Sequence, residues 1–125
     1  MNDGVVEIKP ISEASKEEWI VAKSPILIVP KDHKEVRPVM DCSKSGLNQA
    51  LAPWGMSLPT IHEFLYFLGL GTLMGKRDFR HGFHHQIVKE CDRKYLGFDV
   101  PGYEGSLVGR FASLPFGLSL SPAHF

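Results

Sequence analysis

The sequence has no apolar run approaching the ~20 residues that a membrane-spanning helix requires. Its longest apolar stretches, Ser24–Pro30 and Phe64–Leu68, fall well short, which excludes such a helix. The two cysteines, Cys42 and Cys91, lie far apart in no CxxC arrangement, so neither a disulfide framework nor a thiolate zinc site is suggested. A surplus of one charge is also missing. Fourteen Lys and Arg balance fourteen Asp and Glu, a poor match to a free-standing nucleic-acid binder, which needs excess cations against phosphate. There is no internal repeat and no low-complexity tract. The opening residues, MNDGVVEIKPISEASKEEW, are acidic and mixed where a secretion signal is basic and then apolar, so the expected location is intracellular, cytoplasmic or nuclear.

What is present is enough for one globular domain: 125 residues, 43% of them hydrophobic. The charge is unevenly spread. Residues 1–20 carry five acidic side chains against Lys9 and Lys16, whereas Lys76–Lys94 holds six basic side chains against Asp78, Glu90 and Asp92. Any polyanionic partner would therefore be expected to meet the later part of the chain.

Residues 1–22 show weak periodicity and read as a lead-in with one short helix near Glu17–Ala22. In SPILIVPKDHKEVRPVMD, the β-rich runs Ile26–Val29 and Val36–Met40 flank a polar connection and predict a hairpin, restricted by Pro30 and Pro38 to an edge-like ribbon. LPTIHEFLYFLGLG has Pro59 near its start, Ile61, Phe64, Leu65 and Leu68 at helical spacing, and terminal glycines, which predict an amphipathic helix. TLMGKRDF is expected to be a strand delivering Asp78 to its C-terminal end. YLGFDVPGYEGSLVGRFASLPFG predicts two strands around a Pro101–Gly102 turn, and LSLSPAHF an incipient helix. The order β, β, α, β, β, β, α is an α+β pattern. Ending on an apolar incipient helix is the mark expected of a fragment.

Among the motifs, GLGTLMGKR fails as a phosphate-binding loop, because Gly71 to Gly75 is one residue short and Arg77 stands where Ser or Thr should follow the lysine. His81, His84 and His85 share a face if helical, which suits a transition metal, yet no further ligand pattern accompanies them, so polar surface is the simpler expectation. Asp78 by itself is a turn or strand-end aspartate. Its surroundings alter that expectation.

Four segments in order, SPILIVPKDHKEVRPVMDCSKSGLN, LPTIHEFLYFLGLG, RDFRHGFHHQIVKE joined to RKYLGF, and FASLPFGLSLSPAHF, give the chain its likeness to a known family. The sequence resembles the reverse transcriptases of retrotransposons and retroviruses over roughly residues 24–125. The resemblance implies a lead-in (1–22) followed by an incomplete reverse transcriptase domain (23–125), holding the fingers and the first part of the palm of a right-hand polymerase.

The implied activity is RNA-directed DNA synthesis, nucleotidyl transfer to a primer 3′-hydroxyl with two Mg2+ ions. By the same resemblance, Asp78 is the first metal-binding carboxylate and the Phe79 carbonyl a second oxygen ligand. Phe83 is the aromatic gate against a 2′-hydroxyl, and His81 and Gly82 line the nucleotide pocket with their main chain. His81 stands where retroviral relatives have an acidic residue. Arg37 grips the triphosphate, for which a planar guanidinium is suited. Pro30 occupies the spacing of the partner lysine, so Lys31 or Lys34 has to substitute. Phe116 and Gly117 pack against the nascent base pair and template.

Implied partners are an RNA or DNA template-primer, deoxynucleoside triphosphates and the remainder of the polymerase polyprotein, with no membrane. The family's Tyr-x-Asp-Asp motif is not in the sequence, which has no Asp-Asp pair, so the expectation is a chain inactive alone. The alternative is a retroelement-derived, non-catalytic nucleic-acid-binding or interaction protein.

Overall fold

The chain is described here by a computed structural model covering residues 4–53 and 55–125. Its strands form two antiparallel sheets. Strands β2 (Ile26–Asp32) and β3 (Glu35–Met40) make a two-stranded ribbon, in register from Ile26 opposite Met40 to Asp32 opposite Glu35, with an irregularity at Lys31. Because the ribbon has only two strands, each has an open outer edge, where Pro30 and Pro38 are tolerated without losing a ladder bond. The hairpin expected from the sequence is therefore present.

The second sheet has the order β1-β5-β4, from β1 (Val6–Pro10), β4 (Gly97–Asp99) and β5 (Leu107–Phe111). Strands β4 and β5 are the pair expected around Pro101 and Gly102. Strand β1 corrects the expectation for the lead-in, whose weak periodicity gave no strand. Its place is held by an edge ladder and a charge cluster instead. Val6 lies opposite Phe111, and the Glu7 carboxylate accepts hydrogen bonds from Arg93 and Arg110, each at 2.6 Å. The short helix expected at 17–22 is absent. Helix α1 spans Ile11–Ala14, and a left-handed turn at Glu18 (φ 48) brings Trp19 into the interior.

The main core gathers Met40, Cys42, Leu96, Phe98, Phe111, Leu114 and Leu118. It joins the base of the ribbon to the three-stranded sheet and to the segment after β5. That segment is pinned at several points. The Met40 amide donates to the Phe116 carbonyl at 2.8 Å, the Asn48 side chain donates to the Gly117 carbonyl at 3.0 Å, and the Ser119 amide returns a bond to Asn48 at 2.8 Å. Gly117 has φ 101, and a Cβ there would overlap the Met40 carbonyl oxygen, so the Phe-Gly turn requires its glycine. Buried Ser121 donates to the Pro115 carbonyl at 2.8 Å and anchors helix α4 (Ser121–His124), the incipient helix of the sequence.

Two further expectations are corrected. The amphipathic helix expected over LPTIHEFLYFLGLG is present only as α3, Ile61–Leu65, and a single helical turn, α2 (Leu47–Ala50), precedes it where none was expected. Thr60 starts α3 with a reciprocal cap, accepting from the Glu63 amide at 3.2 Å while its own amide donates to the Glu63 carboxylate at 2.7 Å. The cap is sound, but the apolar residues meant to be buried are not: Ile61 is 78% exposed. The strand expected over TLMGKRDF does not form, and Asp78 stands in an irregular segment. A strand needs a partner to satisfy its backbone, and among the described residues no backbone ladder joins 73–79 to another strand. The architecture is α+β, and among the described residues no helix is long and apolar enough to cross a membrane.

Candidate functional site

Between the ribbon and the segments around Asp78 and Phe116 lies a cavity of about 530 Å3, within the ~300–1,000 Å3 usual for small-molecule sites. Strand β2 brings Lys31 to its wall, and β3 brings Arg37. The irregular segment before a single 3-10 turn, Gly82–His85, supplies Asp78, Phe79 and His81, and the turn itself supplies Gly82 and Phe83. The Phe-Gly turn after β5 contributes Phe116. Lys34, at the hairpin tip, and Gly117, turned onto Met40, are outside the lining.

The local backbone explains how the Asp78 segment bends into the cavity. His81 adopts a left-handed conformation at φ 53 and reverses the chain into the 3-10 turn. Such a conformation is costly for a side chain with a Cβ, though histidine is among the residues found there more often. At Gly82 a Cβ would come within 2.8 Å of the Phe125 ring. Phe125 therefore occupies the space that a side chain would need, and its ring meets Phe79 (5.9 Å between centroids) and Phe83 (5.6 Å) edge-on. Phe83 in turn tilts against Phe116 at 5.0 Å, so one aromatic wall runs from Phe79 to Phe116. The Arg37 guanidinium lies over the Phe116 ring at 4.6 Å.

The charges around this wall are mixed. Lys31, Arg37, Arg77 and Arg80 face Glu35 and Asp78. The Lys31 ammonium approaches Glu35 at 3.7 Å. Among the described residues, neither the Arg37 guanidinium nor the Asp78 carboxylate has a hydrogen bond or ion pair. Arg37, Arg77 and Arg80 thus bring unspent cations, and Asp78 an unspent anion, to the same cavity, which suits a ligand carrying both phosphate and a bound cation or polar groups.

The His81 and His84 rings meet edge-on at 6.0 Å, but the hydrogen bonds of His84 and His85 diverge. The His84 ring lies 3.3 Å from the Ser113 hydroxyl, and His85 reaches the Arg80 carbonyl at 3.0 Å. Burial, then the neighbouring His81 and His85, lower the His84 imidazole from its ordinary value and so favour the neutral ring. Among the described residues no group of three His, Cys, Asp or Glu side chains is placed to hold a metal. This chain's own donors supply only part of the two-magnesium site that the family resemblance implies. Asp78 and the Phe79 carbonyl offer two oxygens from adjacent residues, too few to clamp two ions.

Arg77, Arg80 and Phe125 also line the cavity, and sequence reasoning did not select them. The arginines flank Asp78 directly and were visible by adjacency. Phe125 had no such signal, since only its contact with Gly82 reveals it. A second recess of about 510 Å3 has a wall dominated by Leu47, Leu51, Leu96, Leu114, Leu118 and Leu120, and gathers no comparable set of charges.

The chain is 30% identical over 110 residues, 88% of its length, to the Transposon Tf2-7 and Tf2-8 polyproteins of Schizosaccharomyces pombe. It is 34% identical over 108 residues, 82% of its length, to the Retrovirus-related Pol polyprotein from transposon 412 of Drosophila melanogaster. In each case it spans about 8% of the relative's length. No protein-family model matches the chain. Its homologues are thus retrotransposon polyproteins, and this chain corresponds to one short segment of them.

Proposed function

We propose that the chain is the nucleotide-facing part of a retroelement reverse transcriptase, fingers and first part of the palm, and that its cavity takes the incoming deoxynucleoside triphosphate. The observation that carries this reading is the arrangement of Arg37, Asp78, Phe83 and Phe116, distant in sequence, around one cavity of about 530 Å3. Arg37 supplies in-plane N–H donors to phosphate oxygens. Phe83 lies against the sugar, where an aromatic ring leaves no room for a 2′-hydroxyl. Phe116 faces the base pair. Asp78 and the Phe79 carbonyl are the oxygens this chain contributes toward magnesium. The remaining carboxylates, the template-primer and the transfer reaction itself are assigned to the whole polyprotein.

The test is nucleotide binding by the chain itself, followed by fluorescence of labelled deoxy- and ribonucleoside triphosphates. The wild-type chain is expected to favour the deoxy form, Arg37→Ala to weaken both about tenfold, and Phe83→Ala to narrow the gap between them. Equal affinity for both sugars in the wild type would remove Phe83 from the pocket's role.

A second reading, a non-catalytic nucleic-acid-binding protein of retroelement origin, is favoured by the single unspent carboxylate. Under that reading the chain binds single-stranded RNA or DNA, and free triphosphates do not compete.

A further inference from the structure

Arg37, Arg93 and Arg110 each make a ring contact or a bond to a carboxylate, and they differ in how their donors are used. Arg110 lies over Trp19 at 4.5 Å, but its Nε donates to Glu7 at 2.6 Å and a terminal nitrogen to the Trp19 carbonyl at 3.2 Å. Arg93 gives its Nε to the Val88 carbonyl at 2.9 Å and a terminal nitrogen to Glu7 at 2.6 Å. Arg37 has the same kind of ring contact as Arg110, at 4.6 Å, but its guanidinium has no hydrogen bond or ion pair among the described residues. A half-buried guanidinium without a carboxylate partner is unusual, because its desolvation is left uncompensated.

We infer that Phe116 is a positioning residue for Arg37: the ring holds the guanidinium by its flat face and leaves its in-plane N–H donors free for a polyphosphate. The inference rests on the nucleotide-pocket reading and deepens it. The physical basis is the separation of the two kinds of contact. Attraction between a cation and a π-face acts perpendicular to the guanidinium plane, whereas all five N–H bonds point within it. A carboxylate partner in place of the ring would hold Arg37 just as firmly but would consume the donors that phosphate needs.

Phe116 is itself well fixed. Its ring tilts on Phe83 at 5.0 Å and meets His84 edge-on at 5.4 Å, and its carbonyl accepts the Met40 amide at 2.8 Å. The required glycine at 117 and the Asn48 bonds hold the turn from the other side. The rigid partner is the ring, and the arginine is placed by it. A hydrophobic residue of similar size keeps the packing but removes the negative π-face.

The test uses the full chain labelled with 15N-arginine and inorganic tripolyphosphate as the probe. In the wild type the Arg37 Nε–H resonance is expected to be displaced by the Phe116 ring current. Phe116→Leu should abolish that displacement and weaken tripolyphosphate about threefold to tenfold, and Phe116→Tyr should restore both. In an Arg37→Ala background, Phe116→Leu should cost no further affinity.

A Phe116→Leu penalty that persists without Arg37 overturns the positioning role, as does tripolyphosphate binding that depends on Arg37 but ignores Phe116. Should Phe116→Leu fail to fold, the wild-type resonance decides alone, and an undisplaced signal sinks the inference. A wild-type chain that shows the displaced signal yet binds no tripolyphosphate removes the phosphate role and the nucleotide reading with it.

Discussion

The Arg110–Trp19 stack at the three-stranded sheet and the Arg37–Phe116 stack at the cavity are nearly identical in distance, 4.5 and 4.6 Å, and opposite in what surrounds them. Arg110 is 8% exposed and shares the Glu7 carboxylate with Arg93, so it fastens β1 to β5 across a long stretch of chain. Arg37 fastens nothing. One ring-stacked arginine has its charge neutralised inside the fold, and the other is presented, still charged, to a cavity. The same chemical pair thus serves stability in one place and leaves binding capacity in the other, depending on whether a carboxylate closes the circuit.

The largest expected effect tests the closed circuit. Arg110→Ala removes a buried guanidinium and leaves Glu7 with only Arg93, and breaking such a pair by deleting one partner should cost about 3 kcal/mol, or roughly 10 °C in Tm for a chain of this size. Thermal unfolding by circular dichroism measures it. A loss below about 1 kcal/mol would place Arg110 with Arg37, as a residue the fold does not need.

Acid should open the same circuit more gently. Burial raises the Glu7 carboxyl, but the hydrogen bonds and charges of Arg110 and Arg93 outweigh it and hold the group below its ordinary value. A depressed carboxyl contributes stability that is present above the unfolded value and lost as pH falls toward the folded one. The loss should therefore begin near the ordinary carboxylate value of 4.5 and grow as pH falls. For a carboxylate that keeps a third of its surface in water, the contribution is about 1–2 kcal/mol. Denaturant midpoints of the wild type and Glu7→Gln should converge in acid. Parallel curves would assign the acid loss elsewhere.

The same contrast explains which parts of the molecule could be read from the sequence. The ribbon, the β4–β5 pair and the short final helix depend on local signals, namely β-rich runs, a Pro-Gly turn and a serine before proline, and all three are present. Strand β1 depends on Glu7 meeting two arginines far along the chain, and no periodicity encodes that. The strand expected before Asp78 had the right residue types but no neighbour to pair with. The Thr60–Glu63 cap was written locally, whereas the burial of Ile61 and Phe64 required a surface that the described residues do not provide.

For the cavity, spacing alone singled out Asp78 weakly and Arg37 not at all. Their grouping came from the resemblance to reverse transcriptases. Phe125 and Asn48 escaped even that, because each acts through a contact with a glycine, Gly82 or Gly117, whose importance lies in the missing side chain.

The smallest expected stability effect belongs to Arg37. If its guanidinium contributes only a ring contact, Arg37→Ala should change unfolding by no more than about 0.5–1 kcal/mol, the worth of a partly exposed cation–π pair. Removing an unpaired half-buried charge also relieves desolvation, which pulls the change toward zero or to slight stabilisation. Yet the same substitution is the one expected to abolish most of the affinity for polyphosphate. Stability and binding should therefore separate at Arg37, with unfolding nearly unchanged and the triphosphate titration flattened. If Arg37→Ala instead unfolds the ribbon, the guanidinium is a structural brace like Arg110, and the distinction between a spent and an unspent arginine fails.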